Sequence, residues 1–118
     1  LHFKYFKYEE FDSPDVQGSG QMVDDRLIVL LDAVREEYGR PIRISSGFRT
    51  EEANHRAGGV SNSSHLRGLA ADLKVRNSKE RYELLCILLK HFNRIGVGKG
   101  FIHVDIDSAK APNVVWTY

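Results

Sequence analysis

Apolar residues return every three or four positions through "MVDDRLIVLLDAVREEYG", at Val23, Leu27, Leu30, Leu31, Val34 and Tyr38. That period predicts an amphipathic helix. Asp24 and Asp25 suit its positive N-terminal end, and Gly39 and Pro41 stop it. "IRIS" (42–45) changes to β-branched alternation and predicts a strand. "TEEANHRAGG" predicts a short helix, capped by Thr50 and closed by Gly58. "GLAADLKV" reads as a strand leaving a loop. A second long helix follows in "KERYELLCILLKHF", with Ser78 as its cap and Tyr82, Leu85, Leu89 and Phe92 on one face. "GVGKG" reads as a turn. "FIHVDID" then alternates without a break: Phe101, His103 and Asp105 on one side, Ile102, Val104 and Ile106 on the other. "NVVWTY" is a last strand or a tail. Ahead of the first helix, "HFKYFKYEEF" is a short strand or a packed arm, and "DSPDVQGSGQ" is a loop. Few, mixed elements with hairpin-like order at the end predict an α+β fold, with two main helices on a small antiparallel sheet.

Composition narrows this only a little. The 118 residues, 42% hydrophobic and 28% charged, predict one globular domain over residues 1–118 with one core. A net charge of +1, with no lysine–arginine stripe, argues against a nucleic-acid partner. No apolar run approaches the ~20 residues that span a bilayer, and no signal peptide is visible. The one cysteine, Cys86, lies in "LLCILL" and is expected to be a buried, inert thiol. A monomer is expected.

The alternation in "FIHVDID" carries the first chemical signal. One side of the strand is aliphatic and must be core, so His103 and Asp105 project together from a rigid element. Upstream, "SSHLRGLAADLKV" holds His65 and Asp72. His65, Asp72 and His103 would supply two imidazoles and one carboxylate. Zinc accepts that set tetrahedrally with a fourth position left for water, which is the catalytic rather than the closed structural pattern. Gly68, Ala70 and Ala71 would let the His65 loop and the Asp72 strand approach closely. His2, His55 and His91 read as structural or solvated, with His91 at a helix C-terminus that favours a cation anyway. Trp116 either lines the cleft or anchors the last strand.

The stretch "SSHLRGLAADL" resembles the Ser-x-His-x-x-Gly-x-Ala-x-Asp signature of the zinc D-Ala-D-Ala carboxypeptidase family of peptidoglycan peptidases, on Ser63, His65, Gly68, Ala70 and Asp72. "ISSGFRTEEANHRAGG" is similar to that family's Ser-Gly-Tyr/Phe-Arg turn and the helix after it. "FIHVDID" resembles the strand with its last metal ligand. The resemblance runs from about residue 22 to residue 107. It implies a hedgehog/DD-peptidase-like fold and one Zn2+ held by His65, Asp72 and His103. It implies a metallopeptidase that cleaves an amide in a peptidoglycan stem peptide, either D-Ala-D-Ala or an L-Ala-D-Glu-type link as in endolysins. The setting would be periplasmic, extracellular or phage-associated. Arg49 would contact the scissile carbonyl or a substrate carboxylate, and Ser63 would contact substrate. In the better-known carboxypeptidases an acidic base lies three positions before the last histidine; Gly100 stands there instead. Asp105 is the nominated base in its place. It could instead orient His103 from behind, or the base could be missing. The alternative function is a non-catalytic zinc-containing binding or structural module of the same fold, like hedgehog-type domains, in a phage tail or cell-wall assembly.

Overall fold

The computed structural model describes residues 2–118. Helix α1 spans Asp25–Tyr38, α2 Glu51–Arg56 and α3 Ser78–His91; the strands are β1 Ile44–Ser46, β2 Ala70–Lys74, β3 Arg94–Val97, β4 Phe101–Asp105 and β5 Val114–Thr117. The architecture is α+β: one five-stranded sheet in the order β1-β2-β4-β3-β5, with α1 and α3 packed together. β1–β2, β2–β4 and β3–β4 pair antiparallel. β5 departs from the antiparallel expectation and runs parallel to β3.

Strand alternation divides the sheet into two faces. Ala71, Leu73, Ile95, Ile102 and Val104 turn inward and are fully buried, packed with Leu27, Ile28, Leu31 and Val34 of α1 and Leu84 and Leu88 of α3. The opposite face carries Asp72, His103, Gly96 and Trp116 in one transverse row. Ser46 pairs with Asp72, Asp72 with His103, His103 with Gly96, and Gly96 with Trp116. Residues far apart along the chain thus become neighbours across all five strands.

Local chemistry fixes the helix ends. Asp24 is the N-cap of α1, accepting from the Arg26 backbone N–H at 2.9 Å, and Gly39 closes the helix with φ 72°. Thr50 caps α2 by accepting from Ala53 N. The cap of α3 is Asn77, whose Oδ1 accepts from Glu80 N, and Ser78 is the first helical residue. The buried stripe of α3 is Leu84 and Leu88, continued by Phe92 just beyond its end, rather than the expected face: Tyr82 and Leu89 are exposed. Cys86 is exposed too, contrary to expectation. It stands two residues from both Leu84 and Leu88, about 200° around the helix from each.

The aromatic N-terminal stretch is an arm with a 3-10 turn at Tyr8–Phe11, not a strand. Phe3, Phe6 and Phe11 enter the core, and the Lys4 and Tyr5 backbone N–H groups both donate to Asp32 on α1. "GVGKG" is only partly a turn, because Gly96 and Val97 belong to β3.

Candidate active site and metal centre

His65, Asp72 and His103 each place a donor atom within 4.8 Å of the others' donors, and all three are buried. Asp72 and His103 meet as direct cross-strand partners of β2 and β4. His65 arrives from a 3-10 turn, Ser64–Arg67. Ser63 caps that turn, its hydroxyl accepting from His65 N at 3.2 Å. Gly68 ends it with φ 69°. A side chain at Gly68 would also collide with the Met22 carbonyl. The small residue therefore admits the segment that leads into α1, rather than bringing the His65 loop against β2.

The imidazole protons are assigned by their partners. His65 Nδ1 lies 2.7 Å from the Gly47 carbonyl, which can only accept, so Nδ1 carries the proton. Its Nε2 lone pair then faces Asp72 Oδ1 at 3.3 Å. His103 Nε2 lies 2.8 Å from Asp105 Oδ2. Asp105 is ionised, since burial alone would raise its pKa but hydrogen bonds from His103, Arg94 and the Asp107 N–H hold it below the usual range. So Nε2–H donates there, and His103 Nδ1 faces Asp72 Oδ1 at 2.9 Å. Two imidazole lone pairs and a carboxylate oxygen converge. Lone pairs aimed at one another call for a cation between them, and this nitrogen–oxygen donor set suits zinc. The same crowding of acceptors acts on the proton equilibria. When the imidazoles rather than an ion carry the positive charge, the burial that would raise Asp72 is outweighed by hydrogen bonds and charge from His103 and His65, which hold its carboxyl well below the ordinary range. His103 is raised, because Asp105 and Asp72 outweigh the desolvation that opposes it.

The surroundings hold this cluster rigidly. Arg49 Nε donates to Ser46 Oγ at 2.9 Å, and its terminal nitrogens reach Asn54 Oδ1 and Asp72 Oδ2, each at 3.4 Å. Its partner is thus Asp72, not the neighbouring Glu51 or Glu52. Asn54 also donates to the Val60 carbonyl, tying the loop after α2. Asp105, only 2% exposed, receives Arg94 Nε on Oδ1 at 2.6 Å. Trp116 lines the cleft: its ring lies 5.4 Å from that of His103, and the Arg94 guanidinium sits over it at 5.0 Å. Gly96 leaves the space that Trp116 fills, since a Cβ there would strike the indole. Arg49, Arg94, Asp105 and Trp116 join the metal cluster, Ser63 and Lys110 around a cavity of about 590 Å³.

Sequence reasoning missed Arg94, Asp107 and Lys110. Asp107 is 1% exposed; it accepts from Ser64 Oγ at 2.6 Å and pairs with Arg67, bracing the His65 turn from below. Asp107 lies in the alternating run after His103, which was the available signal. Nothing local marks Arg94 or Lys110.

A family model described as Peptidase M15 matches residues 4–105. The chain belongs to the Peptidase M15 family. Among its relatives is the zinc D-Ala-D-Ala carboxypeptidase of Streptomyces albus G, 48% identical over 77 residues. That match covers 58% of this chain and 30% of the relative, so the M15 chain described here corresponds to under a third of that protein's length.

Proposed function

We propose that this M15 domain is a zinc metallopeptidase that hydrolyses an amide bond in peptidoglycan stem peptides. The observation that carries the reading is the convergence of His65 Nε2, Asp72 Oδ1 and His103 Nδ1 on one point at the wall of an open cavity. Those three atoms would hold the metal. When bound, zinc supplies a Lewis acid for a peptide carbonyl and makes water acidic enough to react near neutral pH. The name of the Streptomyces albus G relative supports both the metal and the substrate class.

The chain's own groups do the positioning. Gly47 O and Asp105 fix the two imidazole tautomers, so that both free lone pairs face Asp72. Arg49 brings a guanidinium beside Asp72, where it would stabilise charge developing on a carbonyl oxygen. Ser63 caps the His65 turn through its oxygen, which leaves its O–H free to donate to substrate. Asp105 acts first through His103: Oδ2 is held by the imidazole, and Oδ1 by Arg94 and the Asp107 N–H. Its side chain is only 1% exposed, so to take a proton from water it would have to turn out of this setting.

That last point favours one alternative, a zinc-containing recognition module of the same fold. Asp72 and Asp105 are the two carboxylates among the described residues lining the cleft, and both are engaged. The experiment is incubation of the zinc-loaded protein with purified peptidoglycan, with and without a chelator, followed by quantification of new free amines. The peptidase reading expects chelator-sensitive release. Binding to the wall without release would support the recognition module. A cell-wall substrate puts the site of action outside the cytoplasmic membrane, and among the described residues no helix is long and apolar enough to cross one.

A further inference from the structure

The charges lining the cleft do not cancel. Arg49 lies against Asp72 and Arg94 against Asp105. Lys110 lines the same cavity, and its two close partners are neutral: the Asn62 carbonyl at 2.8 Å and Ser64 Oγ at 3.1 Å. The nearest carboxylate to its ammonium is that of Asp107 at 3.8 Å, and Arg67 already pairs with that group. An ammonium has three protons to give, and two are accounted for. The Lys110 side chain is 24% exposed, so its third proton is open to a ligand while its stem is held. Ser64, which anchors it, is the residue before His65. The cation therefore lies on the wall of the cavity that His65, Asp72 and His103 also line.

We propose that Lys110 is a specificity-determining residue that binds a free carboxylate on a residue flanking the scissile amide. This rests on the peptidase reading above and specifies which peptides that site prefers. A stem peptide offers two such groups, the C-terminal carboxylate and the α-carboxylate of a γ-linked D-Glu. Either would make a charge-assisted hydrogen bond with the ammonium in a partly dehydrated cleft. Replacing the acid by an amide removes the charge and leaves the shape nearly unchanged.

The test uses three peptides: L-Ala-γ-D-Glu-L-Lys-D-Ala-D-Ala, its C-terminal amide, and its analogue amidated at the D-Glu α-carboxylate. Affinity for the zinc-loaded protein is read from the fluorescence of Trp116, the only tryptophan in the chain, which lies in the cleft; KM and kcat are read from cleavage. Wild type should bind the acid about tenfold more tightly than one of the two amides. The amide that suffers identifies which carboxylate Lys110 holds. Lys110→Met should bind the acid as weakly as that amide, with kcat little changed, and Lys110→Arg should keep the preference. Equal binding of all three peptides by wild type would overturn the inference. So would a preference that persists in Lys110→Met, or a Lys110→Met loss that is equal for acid and amides, which is the mark of a merely structural lysine. If Lys110→Met does not fold, Lys110→Gln is measured in its place, and a wild type that does not distinguish acid from amides overturns the inference without any variant. Cleavage of none of the peptides, alongside a Lys110-dependent binding preference, would sink the peptidase reading and leave the carboxylate site standing.

Discussion

His65 and His103 reach the same point by opposite means. His103 sits on a central strand, in register with Asp72 on one side and Gly96 on the other; the sheet sets its position and Asp105, two residues on, sets its tautomer. His65 sits on a four-residue 3-10 turn and depends on short-range braces: the Ser63 cap, the Gly47 carbonyl, and Asp107 holding Ser64. A strand-borne ligand is fixed by long-range pairing, so its weak point is the buried charge behind it. A turn-borne ligand is fixed by capping and loop polarity, so its weak points are several and individually small.

Four perturbations sharpen this contrast. The largest effect is expected from Arg94→Met, which leaves the Asp105 carboxylate buried without its cation. Stability should fall by about 3–5 kcal/mol in urea titration, and a loss under 1 kcal/mol would show that the pair behind His103 is dispensable. Asp105→Asn keeps the shape but weakens the hold on the His103 tautomer. Zinc affinity should drop by about 10–100-fold in chelator competition, and an unchanged affinity would remove Asp105 from the positioning role. Ser63→Ala, on the His65 side, should cost only about 1 kcal/mol, since the other braces remain.

The fourth and smallest effect concerns pH. Burial alone would raise the Asp107 pKa, but the Ser64 hydrogen bond, the Ala109 N–H and the Arg67 and Lys110 charges hold it below its ordinary value. Its pKa is therefore lower folded than unfolded. The stabilisation is fully present above the unfolded value of about 3.9 and is lost as pH falls through the folded one. Wild type should lose stability on acidification through that window more steeply than Asp107→Asn. Parallel melting curves for the two would contradict the assignment.

What the sequence disclosed follows the same division. The helical period located α1, and strict alternation located β4 and its two faces. The grouping of His65 and Asp72 within one short stretch drew attention to the cleft. Arg94 escaped because its partner lies eleven positions on and meets it only through the β3–β4 hairpin; "GVGKG" had read as a turn alone, since glycines hide a strand whose neighbour needs the space. The parallel pairing of β5 was hidden for a related reason: register between distant strands leaves no local trace, and it is this register that sets Trp116 over Gly96 in the cleft. Cys86 misled because an apolar run on a helix says nothing of which side faces the core.

The account stands on a divalent ion shared by one imidazole from a turn, one imidazole from a strand and one carboxylate. The most direct measurement is zinc titration of the purified chain and of His65→Ala, Asp72→Ala and His103→Ala, with folding checked by circular dichroism and X-ray absorption on the loaded wild type. The account predicts one zinc per chain, a nitrogen- and oxygen-only shell with two imidazoles, and loss of more than about 100-fold in affinity in each folded variant. A folded variant that binds zinc as tightly as wild type, or a third imidazole in the shell, would contradict it.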